Sequence, residues 1–174
     1  EDIDPETGYA TIRSNAQNRY VPNFSYGKGK IVWNFESVNM PAGTDGFLYL
    51  NGDTWHWNGA ANGAGWIQIR IYPQDSTTKS SFKLHYDWTA EEFTLEESMN
   101  DIKTIELDTK VDPEDATKVN VTFSINGKVY YSGKKHNAFD LDGHKGVIFY
   151  SGFSGPFSPE CTIVFKSLDY EVYE

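Results

Sequence analysis

The chain has 174 residues, one cysteine, and 15 basic against 25 acidic side chains, for a formal charge of −10. A chain of this size can bury the surface of one domain without staples, and a lone cysteine excludes an intrachain disulfide or a multi-cysteine zinc site. The acidic balance argues against nucleic acid and anionic membranes, and no apolar run approaches the ~18 residues that span a bilayer.

Residues 1–8 open on the acidic Glu1-Asp2-Ile3-Asp4-Pro5-Glu6 without an initiator Met, and read as a tail ahead of one domain over 9–174. Such a start fits a mature chain that has shed an export signal, so a secreted or cell-surface protein is expected. From Tyr9 onward the hydrophobic period is two. Tyr9–Ser14, Lys30–Val38 and Gly46–Leu50 are predicted strands, with Trp33 and Phe35 directed into the core. Asn51-Gly52-Asp53-Thr54-Trp55-His56-Trp57-Asn58-Gly59 then places Trp55 and Trp57 on one side of a loop or short strand. The Gly- and Ala-rich stretch after it leaves that segment free to move.

Trp66-Ile67-Gln68-Ile69-Arg70-Ile71-Tyr72 is the most informative run. In a strand, Ile67, Ile69 and Ile71 share one face, and Trp66, Gln68, Arg70 and Tyr72 share the other. Three isoleucines in register mark the core side. The opposite side carries rings on which the C–H face of a pyranose can stack, and a planar amide and guanidinium that fork onto hydroxyls or carboxylates. The alternative is that loops cover this side, making Trp66 and Tyr72 a second minicore with Arg70 paired to an acid. In the next predicted strand, Ser81–Trp88, Phe82, Leu84, Tyr86 and Trp88 share one face, and Lys83, His85 and Asp87 the other. Pairing of the two strands would bring Lys83 and His85 beside Gln68 and Arg70.

Thr89–Glu97 is the one helix candidate, because Thr89 with Glu92 makes a capping pair. Lys103–Lys110 and Lys118–Ile125 return to strand periodicity. Glu106 and Asp108 alternate as solvent-facing charges, and Val111 interrupts the acidic spacing E-x-D-x-x-E used by sandwich glycosidases of the laminarinase type. Asn126-Gly127 supplies the two positive-φ residues of a type I′ hairpin leading into Lys128–Tyr131. Asp140-Leu141-Asp142-Gly143-His144 lacks the full ligand series of a calcium loop and reads as a solvated turn. A structural calcium there or at Asp169 is a secondary expectation, and neither a metal nor a cofactor belongs to the predicted site. His56, His85, His136 and His144 show no ligand spacing. Gly146–Tyr150 and Glu160–Tyr173 are the last strands, with Cys161, Ile163 and Phe165 facing inward and Cys161 a buried structural thiol.

About ten short strands separated by Gly, Pro, Asn, Asp and Ser clusters predict an all-β antiparallel sandwich, a jelly roll. The hairpin Val119–Val129, the run Gly146-Val147-Ile148-Phe149-Tyr150-Ser151-Gly152 and the closing strand Thr162–Val172 resemble, in that order, the concanavalin A-like lectin and laminin-G jelly-roll superfamily. That resemblance implies sugar handling, since the superfamily holds lectins, carbohydrate-binding modules, glycosidases and polysaccharide lyases. Gln68-Ile69-Arg70 is similar to the Gln-Ile-His strand of jelly-roll alginate lyases with the His replaced. The expected function is therefore a non-catalytic module, monomeric and without catalytic residues. It would hold a polysaccharide or oligosaccharide through Trp55, Trp57, Trp66, Gln68, Arg70, Tyr72, Lys83 and His85. A polysaccharide lyase or glycosidase is the first alternative, and an adhesion or assembly sandwich the second.

Overall fold

The computed structural model describes residues 2–13, 19–20, 29–40, 46–53, 67–84, 90–136, 148–154 and 161–173. In chain order the strands are β1 (Asp2–Ile3), β2 (Ala10–Arg13), β3 (Arg19–Tyr20), β4 (Gly29–Asn39), β5 (Phe47–Asp53), β6 (Ile67–Ile71), β7 (Ser80–Leu84), β8 (Glu91–Phe93), β9 (Thr104–Val111), β10 (Lys118–Ile125), β11 (Lys128–His136), β12 (Ile148–Ser154) and β13 (Thr162–Val172). They form two antiparallel sheets, ordered β1-β2-β13-β4-β9-β10-β11 and β3-β12-β5-β6-β7-β8. All ten predicted strands are present, and β1, β3 and β8 are short additions at sheet edges. Asp2–Ile3, within the span expected as a tail, pairs with Ala10 and Thr11.

The two sheets bury one face each against the other. Ile31, Trp33, Phe35, Ile105, Leu107, Val119, Val121, Phe123, Ile125 and Ile163 come from the seven-stranded sheet, and Leu48, Leu50, Ile69, Ile71, Phe82 and Leu84 from the six-stranded one. Phe82 stacks on Phe123 across the layers, with ring centroids 4.9 Å apart. Such a core makes strand register unforgiving, because a slip of one residue would turn every inward side chain out. Cys161 is fully buried beside Ile163 and Phe165, as its alternation predicts.

The β10–β11 hairpin turns at Asn126 (φ 50°) and Gly127 (φ 78°), both in the left-handed region that a type I′ turn needs. The Asn126 side chain also ties the turn down. Its Oδ1 accepts from the amides of Lys103 (2.7 Å) and Thr104 (3.0 Å), and its Nδ2 donates to the Asp101 carbonyl (2.8 Å).

The expected helix over 89–97 is overturned: Glu91–Phe93 is β8, paired with Ser80–Phe82, and the only helical turn among the described residues is a 3₁₀ turn at Met99–Asp101. Phe93 and Leu95, two residues apart, are both buried, which a strand-like path allows and an isolated helical turn does not. Ladder pairing and burial there outweigh a capping pair worth about 1 kcal/mol.

Candidate functional site

The outer face of the six-stranded sheet follows from the same alternation. With Leu48 and Leu50 inward on β5, Phe47 and Tyr49 face out; with Ile69 and Ile71 inward on β6, Gln68 and Arg70 face out; with Phe82 and Leu84 inward on β7, Ser81 and Lys83 face out. Register aligns these residues in rows across the strands. Tyr49 lies opposite Arg70, Arg70 opposite Ser81, and Ser81 opposite Glu92 of β8. In the adjacent row Asn51 pairs with Gln68, and Gln68 with Lys83. The predicted pairing of the two strands is thus present, and it sets Lys83 directly beside Gln68.

Gln68, Arg70, Ser81, Lys83 and Ala90 line a shallow depression of about 140 Å³ on this face. At its β5 side the Arg70 guanidinium lies 5.2 Å from the centre of the Phe47 ring. Phe47 in turn packs on Tyr72, with centroids 4.9 Å apart and planes tilted by 38°. The three side chains form a continuous patch of ring, guanidinium and ring. A cation over a ring face gains roughly 0.5–1 kcal/mol when exposed and keeps its N–H donors directed outward for a ligand. Among the described residues, no carboxylate is ion-paired with Arg70 or Lys83. Burial alone pushes the half-buried Tyr49 phenol above its ordinary pKa, so it holds its proton throughout the neutral range.

Of the predicted site residues, Gln68, Arg70, Tyr72 and Lys83 lie together on this face. Trp55, Trp57, Trp66 and His85 lie outside the described residues, as does Asp140–His144. Sequence reasoning missed Phe47, Tyr49, Ser81 and Glu92. Glu106 and Asp108 sit on the other sheet, with outward alternation between the buried Ile105, Leu107 and Thr109, and so lie on the far side of the sandwich. Asp108 is engaged there by the Tyr173 hydroxyl at 2.9 Å. Asp169 accepts from Asn34 Nδ2 at 2.8 Å, and among the described residues no cluster of three His, Cys, Asp or Glu side chains could hold a metal ion.

Solved structures superpose on this fold. Sheep galectin-11, in complex with glycerol, superposes with a TM-score of 0.51 over 90% of this chain and 100% of its own, at 15% identity. A structure from work on endo-acting O-glycanases, which members of the human gut microbiota express to initiate mucin breakdown, gives 0.55 over 97% of this chain and 81% of its own, at 10% identity. Alginate lyase A1-II′ gives 0.50 over 98% and 82%, at 11% identity. The chain shares with them a two-sheet antiparallel jelly roll. No family model and no curated protein matches it by sequence. At these identities the shared property is the jelly roll itself, and the chemistry must be argued from the side chains that this chain displays on it.

Proposed function

We propose that the outer face of the six-stranded sheet holds a polysaccharide or oligosaccharide without cleaving it, and that the preferred glycan carries uronate or sulfate. The observation that carries this reading is the joint placement of Gln68, Arg70 and Lys83, beside the rings of Phe47, Tyr49 and Tyr72, around one open depression. Rings take the apolar face of a sugar; the amide and guanidinium fork onto its hydroxyls or carboxylate. Arg70 and Lys83, in adjacent rows, put two cations at one depression on a chain of formal charge −10. A galectin, an alginate lyase and O-glycanases among the structures of this fold support a sugar as the ligand. On this reading Trp55, Trp57, Trp66 and His85 extend the site from the adjoining segments, the protein acts as a monomer outside the cell or at its surface, and binding needs neither metal nor cofactor.

One observation favours a lyase as the second reading. The Tyr49 phenol is opposite Arg70 in register, which puts a proton-bearing hydroxyl in the same row as a group that could neutralise a uronate carboxylate. The test is a calorimetric titration of oligoguluronate, oligogalacturonate and neutral cello- and laminari-oligosaccharides at low and high salt, with unsaturated and reducing products assayed in parallel. The acidic oligomers are expected to bind tighter, to weaken with salt and to remain intact. Arg70→Gln should then cost acidic oligomers on the order of tenfold, the loss of a charge-assisted bidentate contact, and neutral ones much less. Unsaturated product would establish the lyase. Tighter, salt-insensitive binding of neutral glucans would overturn the acidic ligand.

A further inference from the structure

The edge of the glycan face is held in place by the other sheet. β8 is only three residues long, pairs with β7 alone, and ends the six-stranded sheet among the described residues. β11 ends the seven-stranded sheet on the same side of the sandwich. Side chains stitch the two edges together. The Lys135 ammonium forms an ion pair with the Glu91 carboxylate, and it also lies 5.5 Å from the centre of the Tyr131 ring. Tyr131 meets Phe82 of β7 edge-on at 5.1 Å, and Tyr130 meets Phe93 of β8 at 5.0 Å. Beyond β8, Lys128 pairs with Glu96, the Tyr130 hydroxyl donates to Glu97, and the Glu96 amide donates back to that hydroxyl at 3.1 Å.

The Glu91–Lys135 pair differs from the surface ion pairs around it. The Lys135 side chain is 6% exposed and Glu91 31%, whereas both members of Lys128–Glu96 are above 40%. A cation this buried needs its counter-charge, because desolvation left uncompensated is far more costly than an exposed pair is worth. Its strand neighbours point the other way. Glu91 faces Phe82 on the inner side, so Ala90 and Glu92 alternate to the outer side. There Ala90 lines the depression with Gln68, Arg70, Ser81 and Lys83, and Glu92 is opposite Ser81 in the Arg70 row.

We infer that Glu91 and Lys135 are positioning residues for the glycan site: by locking β8 to β11 they hold Ala90, which lines the depression, at the right distance from Gln68 and Lys83, without touching the ligand themselves. This rests on the reading of the outer face as the glycan site. A pair that merely stabilised the fold would lower the melting temperature and leave the affinity of the still-folded protein unchanged.

The experiment compares wild type, Glu91→Gln, Lys135→Met and the reversed pair Glu91→Lys/Lys135→Glu, all well below their melting temperatures. It reads oligoguluronate affinity, and amide exchange in a peptide spanning residues 90–95. Glu91→Gln is expected to speed exchange in that peptide at least tenfold and to weaken oligoguluronate binding at least fivefold, chiefly through faster dissociation. The reversed pair should recover most of both. Because Lys135→Met removes the buried charge along with the Glu91 contact, a folded Lys135→Met protein that binds as weakly as Glu91→Gln would show that the position of β8, rather than the buried charge, is what counts. Faster exchange with unchanged affinity, or no change in either, overturns the positioning role alone. Failure of the wild type to bind any of the acidic or neutral oligosaccharides overturns the assignment of the face and this inference with it.

Discussion

Arg70 and Tyr130 show how one side chain can be tuned from two directions. The Arg70 guanidinium lies over the Phe47 ring, with no carboxylate partner among the described residues. Tyr130 spends its ring on Phe93 and its hydroxyl on Glu97. Desolvation first, then the hydrogen bond to the Glu97 carboxylate, push the Tyr130 phenol up to about 12. In the unfolded chain the same phenol loses its proton near pH 10. Below that pH both states hold the proton and the contribution to stability is complete. Between about 10 and 12 the unfolded chain alone ionises, so stability falls as pH rises. Tyr173, also pushed up to about 12 by burial and by its bond to Asp108, adds a second share. Melting temperatures across that range should therefore decline more shallowly in Tyr130→Phe than in wild type. An identical slope in the two proteins would mean that Tyr130 does not hold its proton as described.

The residues that escaped prediction did so for a physical reason. Phe47-Leu48-Tyr49-Leu50 is four apolar residues in a row, so its period of two is invisible to a hydrophobicity pattern, and only pairing with Gln68 and Arg70 reveals which two rings face out. Gln68 and Lys83, by contrast, alternate with isoleucine, phenylalanine and leucine, and their side was legible at once.

At the scale of the element, β6 divides core from surface. Ile69 is completely buried between the sheets, while Arg70 is exposed. Ile69→Ala should open a cavity and cost about 2–5 kcal/mol in urea unfolding, as large-to-small core substitutions do. A change below about 1 kcal/mol would mean that the two faces of β6 are reversed. β8 shows where local reading fails. A Thr and a Glu three apart favour a helical turn, yet Glu91 and Phe93, two residues apart, pair with β7 and meet Lys135 and Tyr130 of β11, which is remote in sequence. The Asn126-Gly127 hairpin was legible because its turn needs nothing beyond two residues that tolerate positive φ. The tie from Asn126 to residues 101–104 could not be read from the turn alone.

For the molecule as a whole, the two outer faces are chemically distinct. The seven-stranded sheet carries Glu106 and Asp108 on its outer side, where Asp108 is engaged by Tyr173 and Lys110. The six-stranded sheet carries Gln68, Arg70 and Lys83 around its depression. On a chain of charge −10, the Arg70 and Lys83 cations at the depression would attract a polyanion there, an effect that salt should screen beyond about 8–10 Å. Amide chemical shifts mapped during titration of the labelled protein with oligoguluronate locate the face that binds. The account predicts that shifts concentrate at Tyr49, Gln68, Arg70, Ser81 and Lys83 and leave Val32, Glu106 and Thr122 unmoved. Shifts centred on those last three residues, across the sandwich, would contradict it.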